Sequence, residues 1–182
     1  MLSLFLFHEM RPLSNSEETH IIQSLYGKTN DKMSKIIKFA SFLRTSEDPV
    51  LQSLSSSFST RQLLRIAKRV ANYPLDSAYE SVQKACLARF LPPMAKRALD
   101  DALSTQGIPN DTASENADIK SVVTDEEVII GNTRVERCLT AAKSKVPDIL
   151  FYDVPQHMAL LEWLLQDFSL GEHLLLVGNQ GK

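Results

Sequence analysis

Glycine is missing from the long middle part of this chain. There are only six glycines, and none lies between Gly27 and Gly107. Glycine in a helix interior costs about 1 kcal/mol relative to alanine. A long stretch without it, in which apolar residues recur every three or four positions, is therefore typical of amphipathic helices. The middle of the chain predicts a run of helices.

Serine residues mark three helix starts within or near this stretch. In each case Glu or Gln follows the serine three residues later, a spacing in which serine caps the first turn. The pairs are Ser14 with Glu17, Ser59 with Gln62, and Ser77 with Glu80. Gly27 follows the first helix, where a residue with positive φ is favoured. A further helix is predicted to begin after Asn30 or Asp31 and to end before Pro49.

Proline residues and apolar stripes complete the predicted bundle. Tyr73-Pro74 ends the helix that begins after Ser59, and Pro92-Pro93 ends the next one, because proline lacks an N–H donor and clashes with the preceding turn. The predicted buried stripes of the last three helices are Leu63, Leu64, Ile66, Ala67 and Val70; Tyr79, Val82, Ala85, Cys86 and Phe90; and Met94, Ala95, Ala98, Leu99, Ala102 and Leu103. Residues 14–106 are thus predicted to form a helical bundle.

The composition changes after Gly107. Residues 108–118 are rich in Asn, Asp, Ser and Thr, which is typical of an exposed loop or linker. Farther along, Gly131-Asn132 lies between β-branched residues in EEVIIGNTRVE and predicts a β-hairpin with a two-residue turn. We interpret residues 107–146 as a linker that contains this hairpin.

The last part of the chain predicts a helix and a strand. Asp153 and Pro155 begin the helix, and Gly171 ends it. The run HLLLV, residues 173–177, is short and continuously apolar, as in a strand buried on both faces. The predicted fold class is therefore mainly α: a helical bundle followed by a small, incomplete α/β segment of hairpin, helix and strand.

A glycine-rich turn follows this strand. Its residues Gly178, Asn179, Gln180 and Gly181 resemble the start of a phosphate-binding loop, whose backbone N–H groups curl around a phosphate. The full pattern is G-x-x-x-x-G-K-[ST]. With Gly178 as its first glycine, Lys182 occupies the fourth variable position, so the second glycine, the phosphate-binding lysine and the Mg²⁺-binding hydroxyl are missing. An ordinary turn is the alternative interpretation.

The helical part resembles a known family. The stretch SSSFSTRQLLRIAKRVANYPLDSAYESVQKACLARFLP resembles the α-helical lid of AAA+ ATPases of the MoxR, dynein and midasin branch. FHEMRPLSNSEETHIIQSL is similar to the end of such an ATPase core, and VPQHMALLEWLLQDFSLGEHLLLVGNQG to the elements that enter a P-loop. The resemblance covers residues 7–106 and 147–181. Within the branch it is strongest to mitochondrial members that also carry a von Willebrand factor A domain.

The order of these parts implies a module boundary, because in a AAA+ module the P-loop precedes the lid. By the resemblance, residues 1–13 are the end of one AAA+ core, 14–106 its lid, 107–146 a connector, and 147–182 the start of the next core up to a truncated Walker A motif. The resemblance implies a parent protein that uses ATP and Mg²⁺ to remodel proteins, and other AAA+ modules or subunits as partners. It also implies a mitochondrial location, although this chain contains no readable targeting peptide. The chain alone is expected to be inactive, a truncated piece without Walker B, sensor 1 or arginine finger.

Arg61 is the candidate functional side chain within the lid-like part. By the resemblance, its position in Ser59-Thr60-Arg61 matches the sensor 2 arginine, which contacts the γ-phosphate of ATP. A guanidinium group suits this role because it neutralises phosphate charge through two hydrogen bonds. The alternative is an ordinary solvated arginine. Three further basic residues, Arg65, Lys68 and Arg69, are predicted to form the solvated face of the same helix.

Other functional classes have little support in the sequence. Cys86 and Cys138 are isolated, and the four histidines lack ligand spacing, so we predict no zinc site, no other metal site and no disulfide framework. No catalytic residue can be named. The opening MLSLFLF is too short to span a bilayer. Two alternatives to the ATPase interpretation remain: a helical protein-interaction module, and a nucleic-acid-binding domain based on eight basic against two acidic residues in 61–99.

Overall fold

The structure is a computed structural model that describes residues 11–27, 29–110, 119–138, 140, 150 and 152–176. The chain divides into two compact units, residues 1–112 and 113–182. Each unit is described by itself below.

The first unit is helical. Its helices are α1 Asn15–Tyr26, α2 Asp31–Thr45, α3 Pro49–Leu54, α4 Thr60–Asn72, α5 Ala78–Ala85 and α6 Pro93–Thr105, with 3₁₀ turns at Ser55–Phe58 and Ala88–Phe90. The predicted helical bundle is confirmed.

The predicted helix starts are also confirmed. Ser14 Oγ accepts a hydrogen bond from the backbone N–H of Glu17, and the Glu17 carboxylate accepts one from Ser14 N–H. Ser59 and Ser77 accept from the N–H groups of Gln62 and Glu80, and Asn30 caps α2 in the same way. Gly27 adopts the positive φ of 82° expected after α1.

The core of this unit collects apolar side chains from all six helices and the first 3₁₀ turn. The largest fully buried ones are Phe39, Phe58, Ile36, Leu43, Leu63, Leu99, Leu103 and Val82. The rings of Phe39 and Phe58 meet edge to face, with their centroids 5.7 Å apart. This geometry favours aromatic pairs, so the 3₁₀ turn before α4 is fixed to α2.

The predicted end of α2 before Pro49 is confirmed, since α2 ends at Thr45. Helix α3 was not predicted: Asp48 caps it, and Pro49 is its first residue, a position that proline tolerates. The helix predicted to reach Pro92 ends at Ala85, because Leu87 adopts a left-handed conformation with φ 49°. Phe90 and Met94, which we placed in buried stripes, are 76% and 83% exposed, so both placements are wrong.

The second unit combines a small sheet with one helix. Strands β1 Ser121–Val123, β2 Glu127–Ile130 and β3 Thr133–Glu136 form an antiparallel meander in that order, and helix α7 spans Pro155–Ser169. Ile130 pairs with Thr133 across the turn, in which Gly131 has φ 57°. The predicted hairpin and helix are confirmed, whereas β1 was not predicted.

The predicted strand at 173–177 is wrong for the residues that the structure describes. Residues 173–176 lie in no strand, and Leu174, Leu175 and Leu176 are 44%, 86% and 72% exposed. A strand buried on both faces needs hydrogen-bonded neighbours, and none of the three strands described in this unit pairs with this segment. In the described ranges, no helix is long and apolar enough to cross a membrane.

Candidate functional site

Of the predicted nucleotide-binding residues, the structure describes only Arg61. Gly178, Asn179, Gln180 and Gly181 lie outside the described residues. The candidate site is therefore built around the N-terminus of α4.

Arg61 is the second residue of α4 and is exposed. Ser59 caps the helix: its Oγ accepts from Gln62 N–H at 3.3 Å, and its carbonyl accepts from Leu63 N–H at 3.0 Å. The first turn carries no acidic side chain. Among the residues that the structure describes, the Arg61 guanidinium has neither a hydrogen bond nor an ion pair. This helix end thus presents a cation beside the positive end of the helix dipole.

A buried ion pair holds this helix end in place. The side chain of Glu18, in α1, is 1% exposed and that of Arg44, in α2, is 26% exposed. Arg44 Nη1 and Nη2 donate to Glu18 Oε2 and Oε1 at 2.9 and 3.0 Å. Thr60, the first residue of α4, donates its hydroxyl to Glu18 Oε1 at 2.7 Å. Arg44 Nη2 also donates to the carbonyl of Phe58, just before α4.

This network joins three helices at the residue next to Arg61. Charge-assisted, two-pronged contacts between guanidinium and carboxylate fix both distance and orientation. Glu18 is a buried charge whose oxygens are satisfied by Arg44 and Thr60 together. The backbone of Arg61 is therefore held rigidly, while its side chain extends into solvent.

The predicted solvated face of α4 needs one correction. Arg69 is buried: its Nε donates to Asp76 Oδ2 at 2.9 Å, and the two side chains are 8% and 13% exposed. Its guanidinium carbon also lies 6.0 Å from the centre of the Tyr73 ring. Arg65 is exposed, as expected for that face, and Lys68 is half-buried. Arg69 and Asp76 thus fix the turn after α4, and Arg69 is not available to bind phosphates.

A cleft of about 220 Å³ lies at the other end of α4, away from Arg61. Its lining includes Ile22, Thr29, Met33, Val70 and Pro74. The buried Thr29 Oγ1 has no hydrogen-bond partner in the part of the chain that the structure describes. The cleft and Arg61 are therefore separate features of the first unit.

Neither cysteine of the chain forms a disulfide: Cys86 is buried and Cys138 is exposed. Burial raises the pKa of the Cys86 thiol to about 12. Since the thiolate is the reactive form, Cys86 is a packing residue. In the described ranges, no group of three or more His, Cys, Asp and Glu side chains could hold a metal ion.

Comparison with known proteins shows similarity to part of a long mouse protein. No family model matches the chain, and no solved structure matches it. Over 185 aligned residues, which cover 99% of this chain, it is 43% identical to mouse von Willebrand factor A domain-containing protein 8, of which it covers 10%. The chain is thus similar, over nearly its whole length, to one segment of a relative about ten times as long.

Proposed function

We propose that this chain is part of a AAA+ ATPase and that residues 14–106 are its α-helical lid. Arg61 carries the proposal: it is exposed at the N-terminus of α4, and the Glu18–Arg44–Thr60 network anchors the residue beside it. The sequence resemblance to AAA+ lids and the similarity to one segment of a long mouse protein support it. The mitochondrial location belongs to the same proposal.

In this function, Arg61 senses the γ-phosphate of ATP. The guanidinium donates two hydrogen bonds to phosphate oxygens, and the first N–H groups of α4 add a positive potential. No acidic side chain in the first turn opposes the approach of an anion. Gly178, Asn179, Gln180 and Gly181 lie outside the described residues, and from the sequence alone we propose that they donate backbone N–H groups to a nucleotide phosphate. Mg²⁺, when bound with ATP, neutralises the charge of the β- and γ-phosphates.

The chain alone is proposed to bind ATP weakly and not to hydrolyse it. P-loop affinity comes from several N–H donors, a lysine and Mg²⁺ together, and the lysine is not in register here. Losing one partner of a buried charge pair costs on the order of 2–5 kcal/mol, which weakens a micromolar site to roughly millimolar. Protein remodelling then needs other AAA+ modules or subunits as partners.

Nuclear magnetic resonance of the ¹⁵N-labelled full chain, titrated with Mg-ATP, tests the role of Arg61. We expect the amide signals of Thr60 and Arg61 to shift at millimolar nucleotide, and inorganic triphosphate to shift the same signals. Arg61→Ala should abolish these shifts, whereas Arg65→Ala, one turn farther along the same exposed side of α4, should preserve them. Shifts that survive Arg61→Ala, or none at α4, would refute the proposed role.

Calorimetry and a phosphate-release assay test the proposal that the chain alone binds ATP weakly and does not hydrolyse it. We expect a dissociation constant no tighter than roughly millimolar and no phosphate release above the buffer control. A low-micromolar constant would show that Lys182 serves as the phosphate lysine despite its register. Hydrolysis that Arg61→Ala removes would show that the chain holds an active site of its own.

A protein-interaction module is the second candidate function. The observation that favours it is the exposure of Leu87, Phe90 and Met94 on the first unit, since apolar side chains exposed close together mark interaction sites. The nucleic-acid alternative is weaker, because the ion pair between Arg69 and Asp76 removes one cation from the basic set.

A further inference from the structure

The connection from α5 to α6 exposes apolar and basic side chains together. Leu87, Phe90 and Met94 are 64%, 76% and 83% exposed, and Arg89, Lys96 and Arg97 are exposed as well. Lys96 lies two residues from Met94 and therefore on a different side of α6, and we call the other five side chains the 87–97 surface. Leu87 and Phe90 lie in one turn, where Phe90 N–H donates to the Leu87 carbonyl at 2.8 Å. Met94 and Arg97, three residues apart in α6, are neighbours on the helix surface.

Leu87 is an unusual choice for its position. It is the only residue other than glycine with positive φ in the described part of the chain, at φ 49° and ψ 41°. This left-handed conformation is unfavourable for a residue with a Cβ atom and natural for glycine. Because the side chain is mostly exposed, packing within the chain does not offset the cost. Strained residues of this kind occur preferentially at sites that bind something.

The charge of this surface has one sign. Between residues 87 and 97 there are three basic residues and no acidic residue. In the part of the chain that the structure describes, Arg89, Lys96 and Arg97 have no ion-pair partner. An occupant of this surface would therefore meet three apolar side chains and the two arginines Arg89 and Arg97, and the nearest acidic side chain along α6 that is exposed is Asp101, one turn beyond Arg97.

We propose that the 87–97 surface binds an acidic segment of a partner protein that carries aliphatic or aromatic side chains. The apolar side chains of that segment cover Leu87, Phe90 and Met94, and its carboxylates contact the guanidinium groups of Arg89 and Arg97. Charge complementarity of this kind sets partner choice and orientation. The proposal stands whether or not the helical unit serves an ATPase.

Two other occupants fit less well. Nucleic-acid interfaces are more polar than protein interfaces, and three exposed apolar side chains gain little from phosphates. A helix that lies on a membrane inserts its apolar face. The apolar face of α6, with Leu99, Ala102 and Leu103, is instead buried in the core.

Fluorescence anisotropy with the full chain tests the proposal. The probe is a labelled peptide in which glutamate alternates with leucine and phenylalanine. One control peptide has serine in place of the apolar residues, and a second has lysine in place of glutamate. We expect the first peptide to bind at least about tenfold more tightly than either control, as loss of a central apolar or charged contact predicts. Its affinity should fall as salt is added.

Matched variants locate the binding. Leu87→Gly removes the side chain and the backbone strain together, so its melting temperature should equal or exceed that of the parent chain while peptide affinity falls about tenfold. Leu75→Ala, at an 80% exposed leucine outside the surface, should leave affinity unchanged. Arg97→Glu should weaken binding, whereas Lys38→Glu, at an exposed lysine of α2, should not.

Three outcomes would overturn the proposal. The first is equal affinity of the acidic apolar peptide and its serine control. The second is unchanged affinity in Leu87→Gly and Arg97→Glu. The third is tighter binding of a DNA duplex, or of vesicles of anionic phospholipid, with the same dependence on Leu87 and Arg97, which would assign the surface to nucleic acid or to a membrane.

Discussion

Removal of Arg44 gives the most direct test of the network beneath α4. In Arg44→Met, Glu18 stays buried with its carboxylate oxygens bonded only to Thr60. Removing one member of a buried ion pair costs about 3–5 kcal/mol. The Arg44 side chain is 26% exposed, so water entering the vacated site offsets part of this loss. We expect a decrease in the free energy of unfolding of about 3 kcal/mol, near the lower limit of that range.

Glu18→Leu should lower the free energy of unfolding less than Arg44→Met does, because the Glu18 side chain is buried more deeply than that of Arg44. In Glu18→Leu, the Arg44 guanidinium keeps its hydrogen bond to the Phe58 carbonyl and reaches solvent, so we expect a loss of about 1–2 kcal/mol. The double variant leaves no unpaired buried charge, and an apolar pair of similar volume is often neutral in such a site. Its stability should lie above that of Arg44→Met, which makes the coupling strongly non-additive.

Urea unfolding followed by circular dichroism at the helix band measures these differences. Lys35→Met is the matched control, since it breaks an exposed pair in α2, where the side chains of Lys35 and Asp31 are 41% and 80% exposed. Exposed pairs of this spacing contribute about 0.3–0.5 kcal/mol. The reasoning fails if Arg44→Met costs no more than this control, or if the double variant loses the sum of the two single losses.

Three further predictions concern the turn and the buried hydroxyl and thiol groups. Gly131→Ala should lower the free energy of unfolding by roughly 1 kcal/mol in urea unfolding, because a Cβ at 131 would displace the Glu162 carboxylate, which accepts a hydrogen bond from Asn132 N–H at 2.7 Å; a variant as stable as the parent chain would contradict this. Ellman's reagent should modify Cys138 rapidly and the buried Cys86 only on unfolding, and two rapid equivalents would be the contrary result. Raising the pH above 9 should lower the free energy of unfolding, because burial raises the pKa of Cys86 and of Tyr79 to about 12 and the unfolded chain releases those protons first; Tyr79→Phe should flatten the profile, and a parent chain with constant stability up to pH 11 would show the assignment to be wrong.

Local chemistry made most of the fold predictable. A serine cap and its Glu or Gln lie three residues apart, so both partners of the interaction can be read from four consecutive residues. Ser14, Ser59 and Ser77 each begin a helix as predicted. The Gly131-Asn132 turn is local in the same sense, since the positive φ that it needs is natural for glycine.

The errors have non-local causes. The run at 173–177 has the composition of a buried strand, but a strand exists only where neighbours bond to it. The helix expected to reach Pro92 ends at Ala85, two residues before Leu87, whose left-handed backbone opposes its intrinsic preference. No local pattern predicts that break. Local propensity favoured the longer helix, and tertiary context reversed it.

The candidate site likewise combines a residue proposed from a short motif with contacts between residues far apart in the sequence. These distant contacts determine the charge at the N-terminus of α4. Arg61 was proposed because its Ser-Thr-Arg context resembles that of AAA+ lids, a short motif, whereas Glu18 and Arg44 are separated by 26 residues, and Glu18 and Thr60 by 42. Glu18 places a negative charge beneath the helix N-terminus, where an acidic group normally satisfies the dipole. Arg44 neutralises that charge through two hydrogen bonds. The positive end of α4 and the Arg61 guanidinium therefore remain uncompensated within the described residues, and an external phosphate supplies the matching charge in the proposed function.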